Sequence, residues 1–384
     1  MSRAEVKHAY PQPGYPKEPE SSLGRTRLLP MLPASKALRA SLILLGGLVL
    51  IAVIGVIDHD TGEDLSIVLF YLLPVFLVAW YLGLGAGLVT ALSATVTWYL
   101  ANSLPHLWTW RIGWNVGEKL TVFTLFAVMA VRLKRSAVAV YQREFEIGSE
   151  VQRGLFPRSL PATAGLEIAA RLIPNQALSG DYYDFFPRDR CVGFAMADVM
   201  GKGLAASLLT ANLHALLHFN ELQSSSSPMA ALLGTIHRHL RQHSPGRYVT
   251  MVLASIAAGG EDLTYAVAGH PPPLLWNGTA AVRLEATGLP VGLLAASHWG
   301  TRQIGFPPGA LFVAYTDGVS EAVDAGGREY GIGRLEHVVE SLGRSGATAE
   351  EAVEVLLANL RTWTGENEWA DDVAVVAVRN CKTS

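Results

Sequence analysis

The sequence predicts an all-α membrane region of four helices followed by an α+β domain. Three observations carry that prediction. Apolar runs at about 38–57, 66–82, 86–101 and 113–131 each approach the length that crosses a bilayer. Beyond them, short apolar strands joined by tight turns are interspersed with helices. Four of those strands carry an aspartate at one end, a repeated grammar rather than an isolated turn. The totals agree: 384 residues leave room for a membrane region and one domain, half of the residues are hydrophobic, and the mean hydropathy is +0.27. A formal net charge of −3 leaves no electrostatic footprint of nucleic-acid binding. Two cysteines, Cys191 and Cys381, make neither a disulfide framework nor a zinc pattern.

Residues 1–37 are rich in Pro, Ser and charge without an apolar period, which predicts a disordered cytoplasmic tail. The region 38–132 follows with its four spans, the second and third joined by a hairpin at Gly83–Leu84–Gly85. Arg25, Arg27, Lys36 and Arg39 precede the first span, and Arg132, Lys134 and Arg135 follow the fourth. Basic residues stay on the cytoplasmic side, so both ends are expected inside, with the acidic loop 58–64 and the belt residues Trp108, Trp110 and Trp114 outside. This layout predicts a multi-pass protein of the inner (cytoplasmic) membrane, in contact with lipid. Glu118 and Lys119 interrupt the fourth span; they are either functional intramembrane charges or headgroup-level residues. The block is loosely similar to four-span sensory modules that precede bacterial signalling domains.

Residues 133–160 form a linker, helical to about 156, with Val138, Tyr141, Phe145, Val151 and Leu155 near a three-four spacing. That stripe is either the seam of a homodimer or an amphipathic face packed on its own domain. Pro157 and Pro161 end it.

The domain over 161–380 is organised around Ser179–Gly203. Two strands joined by a turn at Pro187–Arg190 place Asp181 and Asp198 side by side at one sheet edge. Gly201 and Gly203 then turn the chain into the apolar helix Leu204–Leu217. Met229–His243 is a further helix; Tyr248–Ala257 and Leu263–Ala268 form a hairpin through Gly259–Gly260. Leu311–Thr316 is a buried-type strand ending at Asp317–Gly318. Helices near 331–342 and 348–364 precede Asp371–Asp372 and the last strand, Val373–Val378.

Aspartates beside glycines are either turn and cap residues or ligands of a hard divalent cation, which prefers oxygen donors. The recurrence of Asp181, Asp198, Asp317 and Asp371 or Asp372 favours ligation. Paired divalent ions sharing carboxylates bind phosphate and acidify a bridging water. The histidines His214, His218, His237, His239 and His243 lack the HExxH pattern and read as helix-surface residues. Neither a serine-hydrolase elbow nor a P-loop is present, and Lys202 reads as a solvated loop lysine or a phosphate contact.

The ordered motifs SGDYYDFF, ADVMGKG, AGHPPPLL, YTDGVSEAVD and ADDVAVV resemble the PPM-type serine/threonine phosphatases, most of all the bacterial branch typified by SpoIIE and RsbU. The resemblance covers about 145–380 and implies a four-layer α/β/β/α sandwich with two Mn²⁺ or Mg²⁺ ions at one end of its two antiparallel sheets. It implies metal ligands at Asp181, Asp198, Asp317 and Asp371 and at the Val199 carbonyl, with Asp372 and Asp184 as alternatives within ADD and DYYD. Met200 stands where eukaryotic relatives place a histidine thought to protonate the leaving group, so that acid is missing here. The implied activity is dephosphorylation of a cytoplasmic protein, an anti-anti-sigma factor by resemblance. A catalytically silent receptor built on the same domain is the alternative, and a nucleotide cyclase lacks the loop it would need.

Overall fold

The computed structural model describes residues 36–61, 67–103, 110–163, 165–188, 191–223, 229–257, 262–365 and 369–381. They divide into two compact units, one ending at Glu144 and one beginning at Phe145. Apart from Lys36 and Ala37, the tail predicted over 1–37 lies outside the described residues, as do Trp108 and the Gly259–Gly260 turn.

The first unit is helical: α1 (Lys36–Thr61), a 3-10 turn Val68–Tyr71, α2 (Leu72–Leu82), α3 (Leu84–Ser103) and the start of α4 (Trp110–Arg153). Gly83 takes φ 90° and closes α2, as the hairpin reading expects. Each apolar run is helical, but only two of the described helical segments, Ala37–Thr61 and Leu84–Asn102, are long and apolar enough to cross a membrane. The second run is broken into a 3-10 turn and an 11-residue helix. At roughly 1.5–2 Å per residue these reach about 25 Å, short of a hydrocarbon core about 30 Å thick. The fourth carries the Glu118–Lys119 pair, 3.2 Å apart, within its apolar stretch. Tyr71, Val75, Ala79, Ala91, Phe123 and Ala127 pack the interior. Asp58 is buried there and accepts hydrogen bonds from Asn102 Nδ2 (2.7 Å) and Tyr71 Oη (3.2 Å).

In the second unit the central strands Cys191–Val199, Leu311–Tyr315 and Val373–Asn380 are buried along nearly their whole length, because each sheet is covered on both faces. One sheet has the order β1 (Leu166–Ile173), β10 (Val373–Asn380), β9 (Leu311–Tyr315), β6 (Leu274–Trp276), β7 (Ala281–Arg283). The other has β2 (Asp181–Arg188), β3 (Cys191–Val199), β4 (Val249–Ala257), β5 (Asp262–Ala268), β8 (Arg302–Gly305). Every strand pairing within these two sheets is antiparallel. Between the sheets Phe194 of β3 meets Phe312 of β9 edge-on, ring centroids 5.9 Å apart. The helices α5 (Leu204–Gln223) and α6 (Met229–His243) cover the β2–β8 sheet, while α8 (Ile332–Ser345) and α9 (Ala349–Thr364) cover the other. The result is a four-layer α/β/β/α arrangement.

Two predicted boundaries shift. Pro187 and Arg188 belong to β2 rather than to the turn, with Pro187 opposite Val192. An edge strand tolerates the missing N–H. The helix predicted to end at Leu217 runs on to Gln223. At the C-terminal end of α4, Ser149 and Gln152 are buried while Ile147 and Val151 are exposed. Gln152 clasps Ser179, its Nε2 donating to Ser179 O (2.6 Å) and its Oε1 accepting from Ser179 N (3.0 Å). This end of the helix therefore packs on its own domain.

Candidate metal centre

The hairpin β2–β3 sets Asp181 directly opposite Asp198. Residues facing each other across an antiparallel ladder point to the same side of the sheet. That side is the one facing the second sheet: Asp181 Oδ2 accepts a 2.6 Å hydrogen bond from Thr316 Oγ1, at the end of β9. The Thr316 oxygen in turn accepts from Ala374 N of β10 at 3.0 Å, so one hydroxyl ties the two sheets together at the carboxylates.

Asp317 begins the single-turn helix α7 (Asp317–Ser320), and the next residue explains how it meets Asp371. A Cβ on Gly318 would lie 1.9 Å from the carbonyl oxygen of Asp372 and 3.5 Å from Cβ of Asp371. Only glycine permits this approach, which holds the ends of β9 and β10 together. On the other side, Gly201 takes φ +104° and turns the chain out of β3, with a guanidinium nitrogen of Arg247 directly beside it. Arg247 also donates to the carbonyl of Met200 at 3.2 Å.

The four carboxylates repel one another. Burial, then the Asp198 charge, push Asp181 well above the usual carboxylate range. Burial with the charges of Asp317 and Asp371 takes Asp198 up to about 7. Asp317 is raised by burial and by Asp371. Lys202 offers partial compensation: its Nζ lies 2.9 Å from Asp371 Oδ2 and donates to Ala370 O at 3.0 Å. Burial opposes its charge, but the hydrogen bond and charge of Asp371 outweigh that and raise its pKa. Asp181, Asp198, Asp317 and Asp371 stand near enough to feel one another's charge. Carboxylates are the donors that a hard divalent cation such as Mn²⁺ or Mg²⁺ takes. Among the described residues, however, no three of these four bring carboxylate oxygens within 4.8 Å of one another.

The two ambiguous pairs separate by geometry. Asp372 is buried, and its oxygens accept from Asn175 N (2.7 Å), Ser179 Oγ (2.8 Å) and Gly180 N (2.8 Å). It bolts the entrance of β2 to that of β10, while Asp371, 44% exposed, faces Lys202. Asp184 stands three residues from Asp181, an odd step that puts it on the opposite face of β2. There it meets Tyr182, His214 and His218 rather than the other aspartates. The Val199 backbone closes over Gly180: its N–H donates to Gly180 O at 3.2 Å, and its carbonyl oxygen lies 3.2 Å from where a Gly180 Cβ would stand. Met200 is exposed beside it and supplies no titratable group.

Sequence reasoning passed over three supporting residues. Thr316 had a signal, its place next to Asp317 in AYTDG. Gln152 had none, because its partner Ser179 is brought to it only by folding. His270 of the GHPPP stretch is buried, with Nδ1 2.8 Å from Oγ1 of Thr250, the residue opposite Asp198 on β4. Burial takes its pKa down to about 3, against the opposing pull of the nearby Tyr315 and Thr250 backbones.

Residues 188–380 match the protein family described as Stage II sporulation protein E (SpoIIE). The chain is similar to phosphoserine phosphatase RsbU of Bacillus subtilis, 29% identical over 181 residues that cover 46% of this chain and 53% of that protein. It spans about half the length of the curated relatives it matches. Among solved structures, the SiaA PP2C domain of Pseudomonas aeruginosa aligns with a TM-score of 0.57 at 22% identity, covering 63% of this chain and 98% of that one. The RsbU and RsbW domains of a Mycobacterium tuberculosis protein align with a TM-score of 0.52 at 25% identity, covering 59% and 64%. The fold is that of a PP2C-type phosphatase with two antiparallel sheets.

Proposed function

The chain belongs to the SpoIIE family, and on that premise we propose that it is a metal-dependent serine/threonine protein phosphatase acting on a phosphorylated regulatory protein. The single observation that supports this most is the set Asp181, Asp198, Asp317 and Asp371, brought near one another from the ends of both sheets with only Lys202 to offset their mutual repulsion. These four carboxylates and the Val199 carbonyl would hold two ions, Mn²⁺ or Mg²⁺, with Asp372 tying the strands together. When bound, such ions polarise a phosphoryl group and acidify a water. Thr316 orients the carboxylate of Asp181. Lys202 places an ammonium at the rim, where a phosphate dianion needs a counter-charge. Because Met200 has no titratable group, the acid that eukaryotic relatives place at this position is missing, and the leaving serine or threonine oxygen must take its proton from another source.

The substrate we propose is a phosphoserine or phosphothreonine of a cytoplasmic regulator, an anti-anti-sigma protein by family resemblance. We place the helical region in the inner membrane as its anchor and sensor, supported by the outward apolar residues Leu42, Leu45, Val49, Val53 and Val56 of α1. A homodimer seam along Ile147 and Val151 of α4 would carry the signal. The test is turnover of p-nitrophenyl phosphate and of a phosphoserine protein, with Mn²⁺ and after chelation. Turnover that requires Mn²⁺ and vanishes in Asp317→Asn is expected. Metal-independent turnover, or none on any phosphomonoester, overturns the reading.

A further inference from the structure

On the opposite face of β2 from the acidic cluster, Asp184 is 5% exposed in its side chain and takes no part in the site described above. Its Oδ1 accepts from Phe185 N at 2.7 Å. Its Oδ2 lies 2.7 Å from Nε2 of His218, 3.4 Å from Nδ1 of His214 and 2.7 Å from the Tyr182 hydroxyl. Both histidines come from α5 at a spacing of four residues, which puts them on one helical face. Their rings lie 4.2 Å apart, and the Tyr182 hydroxyl also reaches His214 Nδ1 at 2.9 Å.

We propose that Asp184, His214 and His218 form a second metal site, selective for a borderline transition cation of the zinc class and distinct from the carboxylate cluster. Two imidazoles and one carboxylate suit Zn²⁺, Co²⁺ or Ni²⁺, whereas Mg²⁺ and Mn²⁺ favour an all-oxygen set. The ligand atoms of all three residues lie within 4.8 Å of one another. Tetrahedral bonds of 2.0–2.1 Å separate ligand atoms by about 3.4 Å, and the Asp184–His214 spacing is 3.4 Å. The Asp184–His218 spacing is 2.7 Å and must open by about 0.7 Å to match that tetrahedral separation. His218 is 45% exposed in its side chain and has room to rotate. Without a cation, hydrogen bonds from His214, Tyr182 and His218 outweigh burial and lower the Asp184 pKa, and a cation would replace the two imidazole N–H donors as the partner of that carboxylate. Tyr182, wholly buried, places its hydroxyl beside the same Oδ2 and His214 Nδ1, so it must turn aside from these atoms or share the site when a cation enters. Ligation here cross-links β2, which begins at Asp181, to α5, which begins just after the Gly201–Gly203 loop.

The test uses the detergent-solubilised full chain, stripped of metal and then held in excess Mg²⁺ to load the acidic cluster. Zn²⁺ uptake is measured by equilibrium dialysis, and Co²⁺ by its visible absorption. One Zn²⁺ per chain is expected in the wild type and in Asp317→Asn. At least about tenfold weaker binding is expected in His214→Asn and in His218→Gln, each checked for an unchanged melting temperature without zinc. Zinc should raise the melting temperature of the wild type and not that of the histidine variants. Absence of stoichiometric zinc in the wild type, or uptake that follows Asp317 rather than the histidines, overturns the proposal and leaves an ion pair only.

Discussion

Replacing Asp371 and Asp372 by alanine, one at a time, should give two different failures from adjacent carboxylates. Asp372 accepts three hydrogen bonds, from Asn175 N, Ser179 Oγ and Gly180 N, all in buried or half-buried surroundings. Removing the acceptor leaves those donors unsatisfied at about 1–3 kcal/mol each. Asp372 also adds to the repulsion felt by Asp181 and Asp198, so its loss returns part of that cost. The net expectation is about 2–5 kcal/mol of lost stability. In a domain of this size that lowers the melting temperature by roughly 5–15 °C. Asp371 is half exposed and paired with Lys202, an arrangement worth about 0–1 kcal/mol. Its alanine variant should melt near the wild-type temperature in chelator yet lose the stabilisation by Mn²⁺ and the turnover. Thermal unfolding with and without Mn²⁺, followed by phosphatase assay, separates the two. If Asp372→Ala melts like Asp371→Ala in chelator, or Asp371→Ala keeps its Mn²⁺ response, the division of roles is refuted.

Gly318→Ala should abolish Mn²⁺-dependent turnover, because its Cβ would overlap the Asp372 carbonyl and push Asp317 from Asp371; overpacking of this kind costs about 1–3 kcal/mol, readable by denaturant unfolding. Wild-type turnover in that variant would contradict the packing account. His270 is buried with its pKa lowered to about 3, so the unfolded chain binds the extra proton and stability falls as pH drops below about 6.5. Between pH 7 and pH 5 this residue should account for about 2 kcal/mol, and His270→Gln should lose that much less than the wild type over the same range in chelator. Gln152→Ala strands the N–H and carbonyl of Ser179, for an expected loss of about 1–3 kcal/mol. Because Ser179 also holds Asp372, turnover should drop with it; an unchanged variant would make the α4 contact incidental.

Much of the domain was legible in the residues. The strand ends carrying Asp181, Asp198, Asp317 and Asp371 are marked by apolar runs that stop at an acid beside a turn. Those signals are local: a buried strand needs continuous apolar side chains, and its exit needs glycine or a polar cap. The hairpin β2–β3 even sets the Asp181–Asp198 pairing, since a short turn fixes register. Alternation along β2 already separates Asp181 from Asp184, but what Asp184 meets depends on α5, brought over the sheet by packing. The choice between Asp371 and Asp372 rests on Ser179 and Gly180, nearly two hundred residues earlier, and no local pattern encodes such a partner. The second apolar run shows the converse limit: its composition suits a membrane, yet it folds into a 3-10 start and an 11-residue helix, with Tyr71 packed against Phe123 of α4. Sequence determines which segments are buried and where they turn, because those are nearest-neighbour properties of the chain. Which carboxylate stays half exposed and which is tied up in hydrogen bonds was decided only by the tertiary structure, because that depends on donors delivered from distant strands.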